Sequence, residues 1–313
     1  MKKIIVFFSL CLFLVSTLSL AEDVPYLLTA SSKGDIDTVK AMLESGVNAN
    51  TKDSNDITAL MYAARKDQAD IAALLIKRGA EVNAKDKDGW TALMFAAKKG
   101  FVDTVKVLLD NGADPKIREN SGWSAFGMAT TSGFSEVVAL MTKHGADANA
   151  KTDDGKTPLM YAAKSGDVPT ITSLMAQGAQ TDARDRLGVT ALMYAARAGN
   201  APAVAYMLSK GVKVDEQDNS HWTALTWAVK KDYVDVASVL IAKGADVNHE
   251  DNESTSLLQV AVNTDSAEMV KLLLDNKANV KARDQYGLTA YVYALKNKNA
   301  SIVKLLKDAG GKY

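Results

Sequence analysis

A few short motifs combine residue types that could bind ions. The Gly-Lys-Thr sequence at 155–157 matches the end of a phosphate-binding loop, but Ala150 stands where that loop requires glycine. The aspartates within 86–89 and 153–155 are similar to those of calcium loops, yet the other ligand positions and the closing glutamate are missing. Turn formation explains these segments better, because Asp and Gly are typical turn residues.

Serine and histidine residues also give no catalytic or metal-binding pattern. Ser124 is not the nucleophile of a sharp strand-to-helix turn, since Phe126 stands where that motif has its second glycine. His144, His221 and His249 lack the i, i+4 spacing that places two ligands on one helical face, and we expect them to be solvated loop residues. The sequence therefore predicts a non-enzymatic protein without a cofactor or a metal site.

Composition excludes several further classes of protein. The chain has 313 residues, of which 47% are hydrophobic, with 37 basic and 37 acidic side chains. This composition is neither that of a disordered chain nor that of a multi-span membrane protein. Balanced charge gives no general attraction to polyanions, so we expect no nucleic-acid partner. Cys11 is the single cysteine, which excludes an internal disulfide and a thiolate metal site.

The N-terminal segment has the pattern of a secretory signal peptide. Lys2 and Lys3 precede an apolar run over 4–20, which ends in a small-x-small cleavage pattern before Glu22. We therefore predict a signal peptide at 1–21 and a periplasmic or secreted protein with no stable membrane insertion after cleavage. The alternative is an uncleaved anchor, because this apolar run approaches the length of a bilayer span.

The rest of the sequence repeats every 33 residues without an insertion. Thr58 and its equivalents are expected N-caps of short helices, whose faces carry small apolar residues such as Ala63 and Ala64. A second helix, starting near an acid or a proline, ends at a glycine such as Gly79. Two short helices cannot bury their own faces, so successive units must stack. The cap register is Thr58, Thr91, Ser124, Thr157, Thr190, Thr223, Ser256 and Thr289.

This repeated pattern resembles the ankyrin repeat. Its two parts are Asp-x-x-Gly-x-Thr-Ala-Leu-Met-x-Ala-Ala and Val-x-x-Leu-Leu-x-x-Gly-Ala-Asp-x-Asn. The resemblance implies an all-α ankyrin-repeat solenoid of stacked helix-turn-helix units with β-hairpin fingers. It covers a predicted domain at 22–313 with about nine units of 33 residues. Together with the predicted signal peptide, it indicates an ankyrin repeat protein of the exported bacterial type.

Some positions depart from the family pattern. Gly127 lies inside a first helix, and Ser254 and Lys277 replace two glycines, so we expect soft interfaces in the fourth and eighth units. Replacing Gly127 with alanine would stabilise the helix if no neighbouring side chain fills the space. The histidine that joins adjacent turns in the family is replaced by a methionine, whose packing must take over that role. These methionines are Met61, Met94, Met160 and Met193.

Two rows of residues that the fold does not require predict a partner-binding groove. Trp90, Trp123 and Trp222 share one register at the finger tips, directly before the cap residues. Ordering of the fingers and attraction of cations to helix C-termini could also account for the two rows in purely structural terms. The coincidence of the two rows favours binding of an acidic, partly apolar protein surface. The basic row, at the ends of the first helices, contains Arg65, Lys66, Lys98, Lys99, Lys164, Arg197, Lys230 and Lys231.

Acidic residues also recur at the base of the fingers, where turn capping suffices to account for them. They are Asp53, Asp86, Glu119, Asp185, Asp218, Asp251 and Asp284.

The sequence as a whole predicts a monomeric protein–protein interaction scaffold in the periplasm or cell envelope, with its partner bound in a concave groove. One alternative is a secreted effector-like ankyrin protein, or one that acts as an inhibitor or immunity protein. An enzyme or small-molecule binder that uses the groove is a further alternative. It would need polar groups that converge within one unit.

The predicted cleavage site can be tested directly. We expect the mature protein to begin at Glu22, because the apolar run ends in a small-x-small pattern immediately before this residue. N-terminal sequencing of the exported form checks the expectation. Recovery of a chain that still contains Lys2 would show that the segment is retained as an anchor.

Overall fold

The structure is a computed structural model that describes residues 26–312. Eighteen helices in this range form nine successive pairs, which confirms the predicted all-helical repeat architecture. The chain divides between Asp147 and Ala148 into two compact units. The predicted signal peptide at 1–21 lies outside the described residues. Between residues 26 and 312, no helix has both the length and the hydrophobicity required to cross a bilayer.

Unit 1 contains the first four helix pairs, packed in two layers. The first helices contact one another in sequence order, as do the second helices. The loop that joins each second helix to the next first helix is the finger of the sequence pattern. The helices are α1 (26–33), α2 (Ile36–Glu44), α3 (Ala59–Ala64), α4 (Ala69–Lys77), α5 (Ala92–Ala97), α6 (Val102–Asp110), α7 (Ala125–Thr131) and α8 (Ser135–Lys143).

Unit 2 contains the remaining five pairs and has the same two layers. The first helices α9, α11, α13, α15 and α17 contact their neighbours in order, and the second helices α10 to α18 do the same. Their bounds are α9 (Pro158–Ser165), α10 (Val168–Ala176), α11 (Ala191–Arg197), α12 (Ala201–Ser209), α13 (Ala224–Lys230), α14 (Val234–Ala242), α15 (Leu257–Asn263), α16 (Ala267–Asp275), α17 (Ala290–Asn297) and α18 (Ala300–Asp308).

Small side chains allow the first helices to pack closely. Ala63 and Ala64 of α3 and the equivalent Ala96 and Ala97 of α5 are all 0% exposed. Because alanine adds only one methyl group, the α3 and α5 backbones can approach across this contact. The same alanine pair recurs in α9 and α11, where it is also fully buried. The core of each unit is thus built between repeats as well as within them.

Side-chain caps begin the first helices as the sequence predicts. The Thr58 hydroxyl accepts a hydrogen bond from the Met61 backbone N–H at 3.2 Å. Equivalent caps occur at Thr91, Ser124, Thr157, Thr190, Thr223 and Ser256. Thr289 is the exception, because its hydroxyl donates instead to the backbone carbonyl of Lys312 at 2.9 Å.

The methionines that replace the family histidine take part in these caps. The Met61 sulfur lies 3.4 Å from the Thr58 backbone nitrogen, and the equivalent sulfurs of Met160 and Met193 repeat the contact. All three side chains are buried. A polar bond between repeats exists in the eighth unit, where the Gln259 amide nitrogen donates to the Leu288 carbonyl at 2.8 Å. Thioether packing therefore replaces the histidine in some repeats, and an amide replaces it in another.

The fingers are tight turns, and β-pairing of their backbone is limited to single residue pairs. Single antiparallel bridges join Lys52 to Thr58 and Arg118 to Ser124 in unit 1. Glu250 and Ser256 form an equivalent bridge in unit 2. Within residues 26–312 these bridges do not extend into longer strands. The predicted finger register is therefore correct, but each hairpin is reduced to its turn.

Left-handed backbone follows the second helices, as the glycine register predicts. Gly244 has φ of 89°, and a Cβ atom built on it would meet no atom within 4 Å. Lys277 occupies the equivalent position in the next repeat with φ of 67°, and its side chain is exposed. Ser254 likewise has φ of 56° at a finger turn. A residue with a Cβ atom is strained in this conformation, whereas glycine is not.

Exchanging the residues at positions 244 and 277 tests this strain. Lys277→Gly should raise the free energy of unfolding by up to about 1 kcal/mol, because the strain removed exceeds the flexibility gained by the unfolded chain. Gly244→Lys is the matched reciprocal change and should lower the free energy of unfolding by about 1 kcal/mol. Urea denaturation of both variants measures the effect. Changes of the same sign in the two variants would contradict a role for backbone strain.

Candidate functional site

An acidic residue at the base of most fingers shapes the surface that carries the tryptophans; Thr152 takes its place in one finger. One carboxylate oxygen of Asp86 accepts hydrogen bonds from the backbone N–H groups of Asp88 at 3.0 Å and Trp90 at 2.8 Å. The backbone N–H groups of Trp123 and Trp222 likewise donate to a carboxylate oxygen of Glu119 at 2.8 Å and of Asp218 at 3.0 Å. Turn capping therefore fixes the backbone of all three predicted tryptophan anchors.

The second carboxylate oxygen has a role that turn capping does not explain. It accepts a hydrogen bond from an aromatic residue nine positions later, as in Asp185 with the Tyr194 hydroxyl at 2.7 Å. Asp218 accepts from the Trp227 indole N–H at 3.1 Å. Sequence reasoning missed these aromatic residues, although their 33-residue recurrence was a detectable signal. The residues that donate this hydrogen bond are Tyr62, Tyr194, Trp227 and Tyr293.

These hydrogen bonds hold the carboxylates charged and the phenols neutral. Burial opposes ionisation of Asp53, but hydrogen bonds from its finger backbone and from the Tyr62 hydroxyl keep the pKa of this carboxyl below its ordinary value. The hydrogen bond to Asp284 raises the pKa of Tyr293 to about 12. The pKa values of Asp53 and Tyr293 thus both shift away from neutrality, as expected for groups in structural hydrogen bonds rather than in proton transfer.

Several predicted cations lie over aromatic rings. The Lys98 ammonium is 4.8 Å from the centre of the Trp90 ring. The Arg65 guanidinium is 5.3 Å from the Phe95 ring, which lies one repeat further along the chain. Distances below about 6 Å favour cation–π attraction. We call the surface formed by the finger tips and the C-terminal ends of the first helices the finger face. On the finger face of unit 1, the predicted basic residues Arg65 and Lys98 therefore alternate with aromatic rings.

Other predicted residues on the finger face make different contacts. In unit 2, the Arg197 guanidinium lies 4.5 Å from the Trp227 ring. Trp222 meets the same indole edge to face, with ring centres 4.7 Å apart. The remaining predicted cations are exposed, and within residues 26–312 they form no ion pair. They are Lys66, Lys99, Lys164, Lys230 and Lys231.

One open cleft in unit 1 brings together three of the predicted residues. Trp90, Lys98 and Trp123 line it, together with Glu119 and Met128, and its volume is about 500 Å³. The wall therefore combines two indole rings and a thioether with polar side chains at its edge. A surface of this kind can take up an apolar or aromatic side chain of a protein partner. We call it the tryptophan cleft.

The three predicted tryptophans differ in exposure. Trp123 is 37% exposed, whereas Trp90 and Trp222 are half-buried. Trp90 packs against Phe95, with ring centres 4.9 Å apart. The residue equivalent to Phe95 after Trp123 is Met128. Trp123 therefore offers more ring surface to a partner than Trp90 or Trp222 does.

Gly127 provides space for the Trp123 ring. A Cβ atom at position 127 would lie 3.2 Å from the Trp123 ring, which is tighter than an ordinary contact. The condition under which Gly127→Ala was expected to stabilise the protein is therefore not met. In the equivalent position of neighbouring repeats, Met94 and Met160 fill this part of the helix surface. Gly127 therefore contacts the tryptophan cleft only through the Trp123 ring.

His221 is exposed as the sequence predicts, whereas His144 and His249 are half-buried. His144 follows α8, and its ring nitrogens lie 2.9 Å from the Leu140 carbonyl and 3.2 Å from a carboxylate oxygen of Asp110. The His249 ring nitrogen lies 2.5 Å from the His221 carbonyl. The contacts with Asp110 and with the His221 carbonyl connect neighbouring repeats. In the described part of the chain, no group of three or more His, Cys, Asp or Glu side chains could hold a metal ion.

The two-layered helix pairs and the finger face together define a helical repeat protein of the kind that binds other proteins. A family model that describes three consecutive ankyrin repeats matches the chain over four ranges. These are residues 27–119, 111–185, 165–251 and 243–313. The chain therefore belongs to the ankyrin repeat family, whose repeats serve as protein-interaction modules.

A solved ankyrin repeat structure has a fold similar to that of this chain. The crystal structure of the human ASB11 ankyrin repeat domain is similar to this chain, with a TM-score of 0.64 and 24% sequence identity. The similarity covers 72% of this chain and 100% of that domain. At this identity it shows a shared fold alone. No curated protein matches the chain.

A double-mutant cycle tests whether Gly127 makes room for Trp123. In a Trp123→Ala background, Gly127→Ala should raise the free energy of unfolding by about 1 kcal/mol, the usual helix-propensity gain. With Trp123 present, the gain should be smaller by at least about 0.5 kcal/mol, because the new methyl group must displace the indole. Denaturant unfolding measures all four variants.

The matched control for this cycle is Trp222→Ala, which lies in unit 2. Gly127→Ala should have the same effect in this background as in the parent protein. If Gly127→Ala raised the free energy of unfolding equally with and without Trp123, the Trp123 ring would not depend on the space above Gly127.

Proposed function

We propose that this protein is a non-enzymatic scaffold that holds a protein partner on its finger face. The observation that carries this proposal is the tryptophan cleft, in which the exposed Trp123 lies beside Trp90 and Lys98. Tryptophan is enriched among residues that dominate binding energy, particularly where it fills a partly enclosed cleft. The cations of the finger face favour a partner with an acidic, partly apolar surface.

Export is the second part of the proposal. The charged start, the apolar run and the small-x-small site in residues 1–21 support a location in the periplasm or cell envelope. We further propose that residues 22–313 act as a monomeric array of about nine units, supported by the unbroken 33-residue register. The alternatives are a secreted effector-like protein and an inhibitor or immunity protein. Either would bind its partner through the same finger face, so they differ in biological role and not in binding mode.

The titration behaviour of the finger face supports binding rather than catalysis. Enzymes hold catalytic acids and bases with pKa values near the working pH. On the finger face, hydrogen bonds from the finger backbone and the Tyr293 hydroxyl outweigh the effect of burial and hold the pKa of Asp284 below its ordinary value. The same contact raises the pKa of Tyr293 to about 12. Both shifts move away from neutrality, as expected for groups that shape a surface.

Truncation of Trp123 tests the proposed function. The full chain is immobilised, proteins of the native compartment are passed over it, and the affinity of each retained protein is then measured in solution. Trp123→Ala should weaken binding by about 2 kcal/mol, or roughly thirtyfold, because the largest exposed ring of the cleft is lost. Its free energy of unfolding should stay within about 1 kcal/mol of the parent, because the ring lies outside the stacked core.

Tyr286→Ala is the matched control, because this aromatic residue is 73% exposed at a finger tip of unit 2 and lies outside the tryptophan cleft. It should leave the affinity unchanged. If Trp123→Ala and Tyr286→Ala retain the same proteins with the same affinity, the tryptophan cleft is not the binding site.

A further inference from the structure

A second cleft on the finger face of unit 2 has a different chemistry from the tryptophan cleft. Its volume is about 490 Å³, and its wall contains two carboxylates, Asp154 and Asp185. More than twice as many cations line it. These cations are Lys156, Lys164, Arg186, Arg197 and Lys231. We call it the basic cleft.

Both carboxylates of the basic cleft already have partners. Asp154 forms an ion pair with Lys156 at 2.5 Å and accepts a hydrogen bond from the Thr152 hydroxyl at 2.5 Å. One oxygen of Asp185 accepts from two backbone N–H groups of its finger, and the other accepts from the Tyr194 hydroxyl. Their hydrogen-bonding capacity is largely used, so the remaining cations have little internal compensation.

Three cations of the basic cleft remain available to an external anion. Arg197 is placed over the Trp227 ring at 4.5 Å. In the part of the chain that the structure describes, the side chains of Lys164, Arg186 and Lys231 form no ion pair. Like charges around one concave surface repel one another and raise the local potential, which favours a negatively charged ligand.

Apolar surface borders these cations. Leu187 is 65% exposed at the finger tip, and Tyr194 and Tyr233 present half-buried rings to the same cleft. A small inorganic anion would leave this apolar surface in water. A peptide segment that combines acidic and apolar side chains would cover both kinds of surface.

We propose that the basic cleft binds an acidic peptide segment of a partner protein. Its carboxylates pair with Lys164, Arg186 and Lys231, while an apolar side chain between them packs on Leu187. This inference rests on the proposed function as a protein-binding scaffold, and it adds a binding site and its chemistry. A long polyanion would leave the apolar surface of Leu187 in water, whereas an apolar side chain of a peptide covers it. The balanced charge of the chain also favours a peptide over a nucleic acid.

Defined peptides test the basic cleft with the full chain. The probe is a fluorescein-labelled peptide with the central sequence Glu-Glu-Leu-Glu-Glu, and the control peptide has glutamine in place of each glutamate. Fluorescence anisotropy at low and physiological salt measures binding. We expect the glutamate peptide to bind more tightly than the glutamine peptide. Lys164→Gln combined with Lys231→Gln should weaken binding of the glutamate peptide about tenfold, since two exposed ion pairs are lost.

Matched charge removal elsewhere in unit 2 provides the control. Lys243→Gln combined with Lys304→Gln removes two exposed lysines that do not line the basic cleft, and it should leave the affinity unchanged. Equal losses in the two double variants would overturn the proposal, because the peptide would then respond only to net charge. Equal binding of the glutamate and glutamine peptides would also overturn it.

Two further measurements distinguish the basic cleft from the tryptophan cleft and from a polyanion site. Trp123→Ala should leave peptide binding unchanged, so a failure of the tryptophan cleft as a partner site and a failure of the basic cleft give different results. A single-stranded oligothymidylate should displace the labelled peptide only at concentrations well above those of the unlabelled peptide. Displacement by oligothymidylate at lower concentrations would assign the basic cleft to polyanions and overturn the peptide proposal.

Discussion

The structure depends on the contact between successive repeats. Neither helix of a pair is long enough to be stable alone, and one pair cannot enclose a core. The buried alanines of the first helices, such as Ala63 and Ala64, allow the next helix pair to approach closely. The contacting surfaces of the two pairs are then excluded from solvent. Every other feature of a unit, including the position of each finger relative to the next, follows from this packing.

Within that packing, the finger carboxylates connect backbone structure to surface chemistry. One oxygen of Asp218 closes the turn that holds Trp222, and the other accepts from the Trp227 indole N–H. A single acidic side chain therefore fixes two aromatic residues at once. Aspartate is suited to this role because its short side chain presents two acceptors in a fixed plane. The same two-sided arrangement recurs at Asp53, Asp185 and Asp284.

Side chains that differ from repeat to repeat distinguish the two clefts. In unit 1, Gly127 and Met128 leave Trp123 with more exposed ring surface than the other finger-tip tryptophans. In unit 2, the ends of the first helices carry Lys164 and Arg197, and the nearby finger carboxylates are already engaged. The same fold thus provides one surface centred on indole rings and one surface that is mostly cationic. Repeat proteins can change side chains at such positions because the stacked core does not involve them.

The sequence by itself determined the repeat length, the caps of the first helices, the glycine positions and the family. These features are local or strictly periodic, so a single register reveals them, as Thr58 and its equivalents show. The sequence also predicted that tryptophans and basic residues lie near one another, as Lys98 and Trp90 do in unit 1.

Only the tertiary structure decided how these residues differ from one another. The Tyr194 hydroxyl meets Asp185 within one repeat, and Arg65 lies over Phe95 of the next repeat. The available space above Gly127 depends on the Trp123 ring. Such contacts depend on side-chain direction and on the distance between stacked helices. The 33-residue repeat pattern of the sequence gives neither the side-chain direction nor this distance. Residues 33 positions apart become neighbours only when the repeats pack.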